Sequence, residues 1–124
     1  DRCDLTYSNA GHWPFLIVRA RDLSLETYRD EGVPLGWLSD AQYTDRRIPL
    51  SSGDRIILFT DGLIECRNNS GEILGMERFQ HIVRHLQCKT AEQCADAIIE
   101  EAKSWSEKSE PFRDDVTLII VDIA

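Results

Sequence analysis

Long hydrophobic runs are missing from these 124 residues, and no stretch approaches the roughly 20 apolar residues of a membrane-spanning helix. Positive charge is scarce too. Lys and Arg number 14 against 22 Asp and Glu, for a net charge of −8. A chain this acidic lacks the basic face that nucleic acid requires, and an anionic membrane surface would repel it. The four cysteines, Cys3, Cys66, Cys88 and Cys94, form no CxxC pair. That argues against a cysteine zinc site, and unpatterned thiols fit a reducing, cytoplasmic compartment. Glycine-rich phosphate loops are absent, as is any Ser-His-Asp arrangement in diagnostic context. There is no internal repeat, low-complexity segment or linker. The chain therefore reads as a single domain over 1–124, long enough to bury a core.

What is present is a change of periodicity along the chain. Residues 5–10, 15–20 and 24–29 read as strands, with the breakers Gly11 and Pro14 between the first two. Residues 43–50 form a weak polar strand, expected at an edge. Ser51-Ser-Gly-Asp54 is a turn that feeds an apolar central strand over 55–60. The period then becomes helical. Phe79, Ile82, Val83 and Leu86 recur at i, i+3, i+4 and i+7. Thr90 with Gln93 forms a capping box for a second helix, whose apolar face is Cys94, Ala95, Ile98, Ile99, Ala102 and Trp105. A last strand follows the polar 106–113 segment. Strands, two helices and a strand predict an α+β fold, with the helix pair on one face of a mainly antiparallel sheet. The Trp and Phe residues are expected at core positions within these elements. The chain begins at Asp1 in what reads as mid-strand, so a piece of a longer protein is expected.

Two acidic motifs carry the chemistry. Arg55-Ile-Ile-Leu-Phe-Thr-Asp-Gly62 ends an apolar strand on Asp61, and Gly62 lets the backbone turn beside it. In Asp114-Asp-Val-Thr-Leu-Ile-Ile-Val121 the order is mirrored. If the two strands pair antiparallel, Asp61, Asp114 and Asp115 meet at one sheet edge. Carboxylates converging without matching cations repel one another unless a hard divalent ion lies between them. Spacing alone favours the plainer alternative, a common Asp-Gly turn and a solvated strand start. His81 and His85, four apart on a helix, have no evident third ligand and read as surface. His12 is presented by a turn and is expected to make a structural hydrogen bond. Cys66 reads as a small core filler. A phosphoacceptor receiver domain is disfavoured, because an upstream acidic pair and alternating strands and helices are lacking.

Ser8-Asn-Ala-Gly-His12, Pro34-Leu-Gly36, Gly53 to Gly62, Gly71-Glu-Ile-Leu-Gly75 with Glu77-Arg-Phe79, and Asp114-Asp-Val-Thr117 occur in one order. Together they resemble the C-terminal half of a PPM-type serine/threonine phosphatase domain of the SpoIIE/RsbU class, from the first residues to the last. The resemblance implies an α-β-β-α sandwich and metal-assisted hydrolysis of phosphoserine or phosphothreonine on a bacterial signalling protein. It implies two Mn²⁺ or Mg²⁺ ions in the complete domain. Asp61 and Asp114 would be the catalytic metal ligands. Asp115 would orient the site or bind an outer water, Gly62 would allow close approach, and His12 and the Pro34 loop would flank the site. The implied substrate is a phosphorylated anti-anti-sigma-factor-like protein. An upstream sensor or receiver domain goes with it, and a homodimer is compatible. The family's earlier acidic motifs are not in this sequence, so the site is expected to be incomplete here. The rival expectation is a non-catalytic regulatory or interaction domain that keeps the fold.

Overall fold

Alternating and continuous apolar residues sort the strands into two layers. In the computed structural model, which describes residues 2–86, 90–106 and 111–124, the strands are β1 (Arg2–Tyr7), β2 (Phe15–Val18), β3 (Leu25–Tyr28), β4 (Arg46–Ser51), β5 (Arg55–Phe59) and β6 (Leu118–Asp122). The helices are α1 (Asp61–Ile64), α2 (Gly75–His85) and α3 (Ala91–Trp105). Cys88 lies outside the described residues. One sheet has the order β3-β2-β5-β6, antiparallel throughout. The other is the antiparallel pair β1-β4. Periodicity alone gave one mainly antiparallel sheet, the family resemblance gave a sandwich with two, and the structure has two antiparallel sheets. Ile48 and Leu50 alternate with exposed neighbours along β4 and pack with Phe15, Ile17 and Ile56. That apolar stripe makes β4 part of a second layer.

The opposite face of the four-stranded sheet carries the helices. Leu16, Ile57 and Phe59 from the sheet share a core with Leu63, Ile64, Phe79, Val83, Cys94, Ile98 and Ala102. The helical periodicity thus translates directly into burial, with Ile82, Leu86, Ile99 and Trp105 packed at its margin. Phe59 and Phe79 meet edge-on, their centroids 4.6 Å apart, and so pin α2 to the sheet. Thr90 Oγ1 accepts the Gln93 N–H at 3.1 Å, giving α3 its expected start. Cys66 is buried in this core as a filler.

The 51–54 turn does more than reverse the chain. Asp54 is buried, and its carboxylate accepts the Ala20 and Ser51 N–H groups and the Arg19 guanidinium. Gly53 adopts φ +86° and donates its N–H to Ile123 O at 2.7 Å. These bonds fix the corner at which β4, paired in one sheet, passes into β5 in the other. Burial alone would raise the Asp54 pKa, but the Ala20 and Ser51 N–H groups and Arg19 hold it below the usual carboxylate range. Arg19 also bridges to Glu26 at 2.6 Å, which lowers the pKa of Glu26. Three of the Trp and Phe residues lie outside the strands and helices, and while Trp13 and Phe112 still pack against the core, the third is not a core residue at all. Trp37 belongs to no strand or helix and is 76% exposed.

Candidate metal centre

β5 and β6 are antiparallel neighbours, with Ile57 opposite Ile120 and Phe59 opposite Leu118. The end of β5 therefore meets the start of β6, and the two acidic motifs leave the sheet at the same edge. Thr60 holds them together. Its N–H donates to Thr117 O at 3.0 Å, and its Oγ1 accepts the Thr117 N–H at 2.9 Å. The same hydroxyl donates to Asp115 O at 3.3 Å. Thr60 was legible only as the last residue of a strand. The signal that could have found it is the threonine recurring in both motifs, Thr60-Asp61 and Asp115-Val-Thr117.

Gly62 does not act through conformational freedom, since its φ is not positive; it lies within the single helical turn of α1. Its role here is steric. A Cβ on Gly62 would lie 2.5 Å from Asp115 O and 3.2 Å from Asp114 O. Only a glycine lets α1 nest against the 114–115 backbone. Asp61 opens α1 and is half-buried, while Asp114 and Asp115 are exposed. Asp61 Oδ1 accepts the Gly62 N–H at 3.1 Å, and Asp114 Oδ1 accepts the Asp115 N–H at 2.8 Å. One oxygen of each carboxylate is thereby oriented. Among the described residues neither Asp61 nor Asp114 forms a salt bridge.

Such a donor set suits a hard oxygen-seeking cation, yet supplies only part of a shell. Among the described residues no three His, Cys, Asp or Glu side chains converge as a metal site. The exposed His81 and His85 are no exception. His85 Nδ1 donates to the His81 carbonyl at 2.8 Å, and the rings pack 4.0 Å apart. His12 is exposed, on a turn that Asn9 closes by accepting the His12 N–H at 2.7 Å and donating to the His12 carbonyl at 3.1 Å. Its Nδ1 donates to Trp13 O at 2.8 Å, the structural hydrogen bond expected of it. β2 pairs with β5 with Leu16 opposite Ile57, so this turn leaves the sheet at the end where Asp61 lies. Among the described residues no helix is long and apolar enough to cross a membrane.

Known proteins share this fold. The family model for stage II sporulation protein E (SpoIIE) matches residues 1–124. Phosphoserine phosphatase RsbU of Bacillus subtilis is 29% identical over 121 residues, which cover 98% of this chain and 35% of RsbU. The RsbU and RsbW domains of Rv1364c from Mycobacterium tuberculosis match with a TM-score of 0.77 at 28% identity, covering 98% of this chain and 34% of that one. The PP2C phosphatase domain of Bacillus subtilis SpoIIE, solved with a fragment of its regulatory domain, matches at TM-score 0.80 and 20% identity, covering 97% of this chain and 34% of that one. The chain thus spans about a third of RsbU's length. Matched along its whole length by the family model, and folded as these PP2C phosphatase domains are, the chain belongs to the SpoIIE family.

Proposed function

We propose that this chain is the C-terminal portion of a metal-dependent protein phosphatase domain that removes phosphate from phosphoserine or phosphothreonine on a signalling protein. The observation that carries the reading is the nesting of Gly62 under the 114–115 backbone, which delivers to one sheet edge two carboxylates that have no salt-bridge partner among the described residues. Asp61 and Asp114 would hold Mn²⁺ or Mg²⁺ there. Such ions, when bound, supply an activated water and charge neutralisation for phosphoryl transfer. The chain's own residues do the positioning. Thr60 ties the two acidic segments together, and the Gly62 and Asp115 N–H groups orient the carboxylates. Asp115 would hold an outer water. Further ligands would come from the remainder of the domain, because two carboxylates do not complete a binuclear shell.

The substrate class that fits is a serine-phosphorylated anti-sigma-factor antagonist in the cytoplasm, with a sensor or receiver domain attached upstream. RsbU, whose name is phosphoserine phosphatase, supports the phosphoserine assignment. The non-catalytic alternative rests on the lack of a third converging ligand among the described residues. One experiment separates the two. In the full-length protein supplied with Mn²⁺, Asp61→Asn and Asp114→Asn should each abolish hydrolysis of p-nitrophenyl phosphate and of a phosphoserine protein, with circular dichroism unchanged. A full-length wild-type protein that binds the phosphoprotein but never turns it over would establish the non-catalytic reading.

A further inference from the structure

The four-stranded sheet and the helices leave a cavity of about 720 Å³ between them. Val18, Leu25 and Ile57 line it from the sheet, and Val83, Leu86 and Cys94 from the end of α2 and the start of α3. Arg55 opens β5 and Asp122 closes β6, and both reach the cavity. Asp61 follows the other end of β5, and Asp114 precedes the other end of β6. The cavity therefore lies at the end of the sheet away from these acids. Apolar walls with a few charged groups, at this volume, are the build of a small-molecule site.

A strained residue stands at its mouth. Leu23, in the turn between β2 and β3, adopts φ +58° and is the only residue besides glycines with a positive φ among the described residues. That region is costly for a leucine. The turn enforces it. Arg19 N–H donates to Ser24 O at 2.9 Å, Leu23 N–H donates to Arg19 O at 2.9 Å, and Asp22 Oδ1 accepts the Ser24 N–H at 3.0 Å. The side chain so held lines the cavity and is 71% exposed. Glycine would make the same turn without strain, but would place no apolar group there. Strain retained in this way gathers at ligand clamps.

Charge decides what enters. Among the described residues three charged side chains line the cavity: Arg55, Arg84 and Asp122. Arg55 Nε and Nη2 donate to the two Asp122 carboxylate oxygens at 2.5 and 3.0 Å, so that pair is neutral as a unit. Arg84 is exposed and forms no salt bridge among the described residues. The mouth thus presents one uncompensated positive charge over an apolar interior, in a chain whose net charge is −8. An anionic head on an apolar body meets both demands. A cation leaves Arg84 unpaired, and a small polar anion leaves the apolar walls in water. We propose that this cavity binds a small monoanionic amphiphile of the fatty-carboxylate class, its head on Arg84 and its chain against Val18, Leu25 and Val83, beneath Leu23.

Decanoate, kept below its micelle-forming concentration, is titrated by calorimetry into the full-length protein without Mn²⁺. Saturable binding at one site is expected, with decyltrimethylammonium and acetate each at least about tenfold weaker. Arg84→Glu and the milder Arg84→Gln should each weaken decanoate binding, the first by about tenfold or more, with the melting temperature of the free protein unchanged. Leu23→Gly should weaken binding while raising that melting temperature, because glycine relieves the strained turn. A role in folding alone would not move affinity and stability in opposite directions. Absence of decanoate binding overturns the proposal, since the rest of the protein would then fill or cover the cavity. Equal binding of the cationic probe, or unchanged affinity in both Arg84 variants or in Leu23→Gly, overturns it too. Sedimentation with phosphatidylglycerol vesicles that Arg84→Glu abolishes and decanoate does not compete would overturn it in favour of a bilayer surface. Binding is read directly, so no outcome depends on turnover or on the phosphatase reading.

Discussion

Gly62→Ala gives opposite signs for two accounts of the same residue. Gly62 lies inside a helical turn with an ordinary backbone conformation. If nothing approached it, alanine would stabilise by about 0.5–1 kcal/mol, because glycine loses more backbone entropy in a helix. The structure instead places the new Cβ 2.5 Å from Asp115 O. A carbon and a carbonyl oxygen come no closer than about 3.3 Å even in weak C–H···O contacts, so close to 1 Å of movement is required. A backbone carbonyl cannot swing aside as a flexible side chain does. Residues 114–117 are tied to Thr60 by bonds of 3.0 and 2.9 Å, so the movement strains that junction or displaces Asp114. Overpacking of this kind costs about 1–3 kcal/mol, more than the entropic gain. A ligand displaced by about 1 Å can cost on the order of 100-fold in rate. Urea denaturation and Mn²⁺-dependent turnover of the full-length variant give both readouts. A raised denaturation midpoint with full activity would refute the close approach.

Ile98, fully buried between α3 and the sheet, should lower stability by about 2–5 kcal/mol when cut to alanine; an unmoved urea midpoint would show that the helix face is not core. Asp54, Glu26 and Asp122 have folded pKa values below their ordinary ones. Their contribution is therefore fully present above the unfolded carboxylate range near pH 4, and is lost as pH falls through the depressed folded values. The denaturation midpoint should drop below about pH 4, and Asp54→Asn should shallow that acid limb; an unchanged limb would remove Asp54 as its source. The 124-residue chain alone, given Mn²⁺, should bind the ion weakly and hydrolyse no phosphoserine protein, because the two proposed ligands, Asp61 and Asp114, would not complete a shell. Turnover by that chain, abolished by Asp61→Asn, would show that no further ligands are needed.

The helices and the β5-β6 pair were legible in the sequence because local pattern and tertiary demand coincide there. Phe79, Val83, Ile98 and Ala102 recur at helical spacing and all are buried. The mirrored acid-strand and strand-acid order pointed to the antiparallel pairing of β5 with β6 that the structure shows. The two-layer arrangement was not readable from periodicity. Ile48 and Leu50 alternate as any half-buried strand would, and alternation does not say which sheet a strand joins. The corner at Asp54 was hidden for a related reason. Ser-Ser-Gly-Asp is an ordinary turn in composition, while the Ala20 and Arg19 groups that make its acid structural lie more than 30 residues away.

The candidate site divides along the same line. The acids were visible as residue types at strand ends, whereas the residues alone read Gly62 as a turn and only the family resemblance implied close approach there. An Asp-Gly pair in sequence suggests a freely turning backbone, and the structure replaces that freedom with a steric requirement imposed by the 114–115 segment. Trp37 shows the converse. Counted by composition it belongs inside, since large aromatics usually bury most of their surface. Its place in a short turn on a loop tied down by Tyr43 and Ser8 gives it no core to enter.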